Sequence, residues 1–137
     1  MHLARIATVV LLLAILETAA FAAGLDFETY RTRVEPIFLM KRPGHARCVT
    51  CHAANSSAFH LEPLSPGATT WTDEQSRRNF ENVSRLVTPG NPAASALLLH
   101  PLAPEAGGDY FHSGGRQFAT RQGAEWKAIA DWVSAAK

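Results

Sequence analysis

Three features of the sequence predict an all-α domain with long loops. Apolar residues recur at helical spacing in several separate stretches, and residues that start helices stand ahead of three of them. Glycine and proline fill the intervals, with nine and eight copies in 137 residues, so much of the chain is left to loops. No βαβ alternation appears. The length suits one domain with a modest core. A formal net charge of +1 implies no strongly charged partner such as nucleic acid.

Residues 1–23 read as an export signal. His2 and Arg5 form a short polar start, Ile6 to Leu16 is an apolar run, and Ala20-Phe21-Ala22 gives an A-x-A cleavage pattern. Processing is expected after Ala22 or Ala23. The run is short for a membrane span and Glu17 sits near its end; an uncleaved anchor is the competing reading. Cleavage removes Arg5 and Glu17 together, so the charge stays at +1. Residues 24–137 then form the single domain.

In that domain Asp26 is placed to cap a helix whose apolar stripe is Phe27, Tyr30, Val34, Ile37 and Phe38. Pro36 bends or interrupts it, and Pro43-Gly44 ends it near Met40. The loop Lys41 to Arg47 leads into the most specific stretch of the chain, Cys48-Val49-Thr50-Cys51-His52. This is a C-x-x-C-H run, the attachment pattern of a c-type haem. Two thiols three positions apart share one turn of backbone, and each can bond covalently to one edge of a porphyrin. The next residue, His52, then lies beneath the ring as proximal iron ligand.

A bare C-x-x-C also serves redox disulfides and half of many zinc sites. A structural zinc site needs four N or S ligands, and these are the only two cysteines. The plain alternative is a small disulfide with an incidental histidine beside it. With a haem present, Lys41, Arg42 and Arg47 read as a solvated rim that can also pair with its propionates.

Residues 53–67 show no periodicity and read as a loop along one haem edge, with Phe59, Leu61 and Leu64 against the ring. Thr72 and Gln75 form a capping box for a helix that buries Phe80, Val83 and Val87 and exposes Arg77, Arg78 and Glu81. Asn91 and Pro92 start a short helix that runs to about His100, stops at Pro101 and offers Leu97, Leu98 and Leu99 to the core. A Gly- and Pro-rich loop of about twenty residues follows, of a length that is usually functional or disordered. The last helix, about Gln122 to Ala136, places Trp126, Ile129 and Val133 on one face beside Trp132.

A transfer cytochrome usually has a second axial iron ligand, commonly methionine. Met1 lies in the export segment, and Met40 precedes the haem cysteines, so histidine is the favoured type. His45 lies too near the motif to cross the ring. His112, in a loop flanked by Gly114-Gly115, is the preferred distal ligand, because glycine lets backbone approach a planar group. His100 is the alternative, with His60, Met40 or an open position behind it. Two imidazoles predict a lower reduction potential than a His/Met pair.

The segment Phe27 to His52, with Val34-Glu35-Pro36-Ile37-Phe38 ahead of the C-x-x-C-H run, resembles the start of class I cytochrome c domains. Pro89-Gly90-Asn91-Pro92-Ala93-Ala94-Ser95-Ala96-Leu97-Leu98 is similar to a turn-and-helix of many bacterial cytochrome c domains, including those of planctomycete-type proteins. Glu125-Trp126 through Ala130-Asp131-Trp132-Val133 resembles their C-terminal helix. These pieces span most of residues 27–133.

The resemblance implies an all-α orthogonal bundle of three to five helices wrapped round one covalently bound haem c. The first and last helices of such domains cross next to the haem. A methionine often precedes the last helix; this chain offers His112 there, a departure that supports a bis-histidine site. The resemblance also implies electron transfer, and a periplasmic or other extracytoplasmic location, since haem is attached covalently outside the bacterial inner membrane.

The leading expectation is therefore an exported monohaem carrier of single electrons, or the electron-transfer subunit of a larger redox complex. Its partners are donor and acceptor proteins, and a membrane enters only through an uncleaved signal or a membrane-bound partner complex. No nucleophile–base pair, carboxylate dyad or phosphate loop supports enzyme chemistry; Glu105, Asp109 and Tyr110 read as polar groups of the loop. A second class is a haem-based sensor or diatomic-ligand-binding module with a labile sixth ligand. A third is an exported interaction domain with a Cys48–Cys51 disulfide and no haem.

Overall fold

The computed structural model describes residues 24–54 and 57–136; the expected export signal, 1–23, lies outside them. The first helix, α1, comprises an α-helical turn Phe27–Thr29, a π-helical turn Tyr30–Val34 and a segment Glu35–Leu39. Asp26 caps it as expected, its Oδ1 accepting the Thr29 N–H at 2.7 Å. The π turn lies just before Pro36, which has no N–H to offer and whose ring crowds the carbonyl four residues back. The Glu35 N–H bonds instead to the Tyr30 carbonyl, five residues back. The helix therefore passes its proline and continues to Leu39.

Four more helices follow: α2 Cys48–His52, α3 Asp73–Ser84, α4 Ala96–Leu99 and α5 Ala124–Ser134. Two 3-10 turns, Pro92–Ala94 and Pro104–Ala106, flank α4. Among the described residues there is no strand, only an isolated bridge between Leu102 and Phe118. The all-α class read from the sequence is the one observed. No described helix is long and apolar enough to cross a membrane.

The core joins α1, α3 and α5 through an aromatic cluster. Tyr30 meets Phe80 at 5.3 Å and Trp132 at 5.5 Å between ring centres, and Phe27 meets Phe80 edge-on at 5.4 Å. Tilted and edge-to-face pairs of this kind add to the area buried. Trp132 also donates its indole N–H to the Asp26 carbonyl at 2.9 Å, tying α5 to the start of α1. Trp126, Ile129 and Val133 are buried on α5 as their spacing predicts.

A buried polar clasp runs through this core. Glu35 accepts from the Tyr30 hydroxyl at 3.3 Å, the Ser76 hydroxyl at 2.6 Å and the Asn79 amide at 3.2 Å. Burial, then the Glu35 charge and hydrogen bond, push the Tyr30 phenol far above its ordinary pKa, so it remains a donor. Asn79 Oδ1 accepts the Glu62 N–H at 2.7 Å, and the Trp71 indole donates to the Glu62 carbonyl, so the clasp also holds the loop before α3. A carboxyl with three donors satisfies the requirement that buried polar groups be paired.

Two elements differ from the sequence reading. The capping box of α3 is present, with Gln75 N–H donating to Thr72 Oγ1 and Thr72 N–H to Gln75 Oε1. The helix nevertheless ends at Ser84, leaving Val87 half-buried in irregular chain just beyond the following turn. Residues 92–100 form a 3-10 turn and then α4, with no side-chain cap from Asn91. Ser95 makes the break: its buried hydroxyl donates to the Asn91 carbonyl and accepts the Thr88 N–H. That local competition with helical bonding is characteristic of serine.

Candidate functional site

α2 is one turn long and would not stand alone in water. Val49, 6 % exposed, anchors it in the core, and the Leu61 N–H bonds to the His52 carbonyl at 3.0 Å. Its turn directs Cys48, Cys51 and His52 into one cavity of about 300 Å³. That volume lies within the range of small-molecule sites. Phe38 of α1, Leu97 of α4 and Ile129 of α5 give it apolar walls, with Phe59 and Phe118 from the loops. His100 and His112 line it as well. The five residues singled out in the sequence, three on one turn and two from distant segments, thus share one cavity.

Hydrogen bonds at Nδ1 fix the ring position of both histidines. His52 Nδ1 lies 2.8 Å from the Phe59 carbonyl and 3.1 Å from Ser57 Oγ. With the Nδ1 proton given to that carbonyl, the lone pair is left on Nε2, the arrangement found in metal-binding imidazoles. Burial lowers the His52 pKa most, partly offset by its bond to Phe59, with His112, His100 and His60 lowering it further. Its neutral, ligating form is therefore favoured. His112 repeats the pattern, with Nδ1 2.6 Å from the Gly115 carbonyl. The two rings lie 6.2 Å apart between centres, with planes 15° from parallel.

This spacing tests whether the residues suit a haem. An imidazole nitrogen on a transition metal lies about 2 Å from it, and roughly 1.2 Å from its own ring centre, so two imidazoles on opposite sides of one ion hold their centres roughly 6.4 Å apart. The observed 6.2 Å between centres matches that figure. Among the described residues no group of three or more His, Cys, Asp or Glu converges to hold a bare ion. A porphyrin brings four nitrogens of its own and asks the protein for axial ligands only.

Both cysteines are free and partly buried. Burial raises the Cys48 pKa, while the Arg42 guanidinium beside it pulls in the opposite direction. Arg42 also bonds to Gln117 Oε1 at 3.3 Å and lies over the Phe118 ring. Of the basic loop only Arg47 lines the cavity itself.

Other candidates are placed elsewhere. Met40 is 42 % exposed, outside the cavity. His45 packs against Gly115, and neither it nor His60 lines the cavity. Leu61 and Leu64 pack into the protein core; of the three apolar residues expected along the ring edge, Phe59 alone lines the cavity.

Two residues escaped the sequence reading of the site. Gln117, 8 % exposed, donates to the carbonyls of Ala46 and Gly114 and so fastens the distal loop to the loop before α2. Asp109, read as a loop polar group, holds His100 Nδ1 at 2.8 Å. Neither belongs to a motif; only the glycine-rich surroundings pointed to this stretch. Comparison with protein-family models, curated proteins and solved structures found no match for the chain.

Proposed function

We propose that this chain is an exported monohaem c-type cytochrome that passes single electrons between redox proteins, with a class I-like helical bundle around one haem c. The observation that carries the reading is the shared cavity. Cys48, Cys51 and His52 line it from one turn, and the His112 ring centre lies 6.2 Å from that of His52. Cys48 and Cys51 would hold the porphyrin by thioethers, His52 would be the proximal ligand and His112 the distal one.

A bound haem would supply an iron centre that gains or loses one electron. The polypeptide does the rest. Phe59 and Gly115 fix the two imidazoles by taking their Nδ1 protons in hydrogen bonds. Phe38, Leu97, Phe118 and Ile129 would shield a haem held in the cavity from water, and a drier setting helps to set the potential. The export pattern at residues 1–23 agrees with a periplasmic site of action.

Production in a host with a haem-attachment system tests this directly. The mass of the purified chain should rise by one haem, and near-infrared magnetic circular dichroism should report two imidazole ligands. An unmodified mass with both thiols free or joined to each other would remove the reading.

One observation favours a ligand-binding module as the second reading. Tyr110 and Phe111, directly before His112, are 93 % and 71 % exposed, so the distal ligand rides on a projecting loop. Rapid uptake of carbon monoxide by the reduced protein would favour that reading over a carrier.

A further inference from the structure

The cavity contains one more ligating histidine than a haem needs. His100 lines it, at the end of α4, with its ring centre 4.9 Å from that of His112. Asp109 Oδ2 accepts a hydrogen bond from His100 Nδ1–H, 2.8 Å between N and O, leaving the lone pair on Nε2. His52 and His112 are held in the same way, but by backbone carbonyls. His100 alone has a carboxylate behind it, the stronger acceptor and the one that most raises the donor strength of an imidazole.

The two distal histidines are also mounted differently. Asp109 is fixed at its backbone, its N–H donating to the Leu99 carbonyl at 3.1 Å at the end of α4. His100 and Asp109 are thus held by one helix end. Their side chains are about half exposed, so the pair contributes orientation more than stability. His112 lies beyond that anchor, between exposed Phe111 and the Gly114-Gly115 pair.

Given the haem reading above, on which this rests, we infer that His100 is a reserve axial ligand. It takes the distal iron position when the loop carrying His112 moves away, and Asp109 is its positioning residue. No group is oxidised or reduced in the exchange: one imidazole nitrogen leaves the iron and another replaces it. The site then stays closed to small ligands while its distal loop opens.

The test uses the full chain matured with haem. A pyridine haemochrome assay and intact mass first establish one covalent haem in every variant; if the wild type carries none, the haem reading itself has failed. His112→Ala should remain six-coordinate and low-spin by absorption and electron paramagnetic resonance. The double variant His112→Ala/His100→Ala should become high-spin. Its reduced form should bind carbon monoxide about tenfold faster or more than His112→Ala, where His100 occupies the competent state.

Should His112→Ala fold poorly, His112→Asn serves, since its amide can still donate to the Gly115 carbonyl. In either background Asp109→Asn should weaken the His100 bond by about tenfold, seen as high-spin haem and a changed midpoint potential, and Asp109→Glu should restore it. High-spin haem in both His112 single variants, with ligand binding as fast as in the double variant, would overturn the inference and leave the haem reading standing.

Discussion

The two walls of the cavity are built on different principles. The proximal wall is one helical turn whose Val49 is buried and whose Cys48, Cys51 and His52 face inward together. The distal wall is irregular chain from Leu99 to Phe118. It is closed at its neck by bonds from Ala103 N–H to the Phe118 carbonyl and from Phe118 N–H to the Pro101 carbonyl. Side chains then fasten it: Gln117 to Ala46 and Gly114, and Arg116 to Glu105. The proposed covalent attachment would need its groups fixed relative to one another, which a single turn supplies. A distal ligand needs only to reach, and a projecting loop with few buried contacts can also let go.

The largest test of this contrast removes the proposed attachment. Cys48→Ala/Cys51→Ala should carry no covalent haem. Hydrogen exchange in that variant should show residues 110–117 losing most of their protection while α1 and α5 keep theirs. Equal loss in both regions would mean that the two walls form one cooperative unit.

The helical core should be sensitive without regard to the loop. Trp132→Ala removes a side chain 2 % exposed, and should cost about 3–5 kcal/mol in denaturant unfolding. Ser76→Ala takes one of three donors from buried Glu35 and should cost roughly 1–3 kcal/mol. A change below a few tenths of a kcal/mol there would show that the clasp is not under strain for partners.

Gln117→Ala should cost about 1 kcal/mol and act locally, speeding exchange at residues 112–117 while leaving the stability of α1 untouched. The smallest effect belongs to Asp26. Its hydrogen bonds to the Thr29 side chain and backbone hold its pKa below the ordinary value near 3.8. The unfolded chain therefore binds the proton more readily, so the cap stabilises above that value and its contribution is lost as pH falls through the depressed one. Asp26→Ala should lower Tm slightly at neutral pH and leave it unchanged in strong acid.

Legibility in the sequence followed range along the chain. The Thr72–Gln75 box, the Asp26 cap and the inward turn of Cys48, Cys51 and His52 each depend on residues within four positions, where backbone geometry alone decides who meets whom. The break at Ser95 was missed because a serine hydroxyl competes with helix bonding by choices that no spacing rule encodes. Glu35, Ser76 and Asn79 look like surface residues in sequence. They are buried because each supplies what another, more than forty positions away, requires.

The sequence by itself determined an all-α chain with a one-turn set of two thiols and an imidazole, because helical spacing and covalent reach are local properties. Tertiary structure alone decided that His112 stands opposite His52, that His100 stands beside it with Asp109 behind, and that Met40 stays outside. Those placements come from folding distant segments onto one core. Many loop paths share the same glycines and prolines, and only packing and hydrogen bonding across the fold select one.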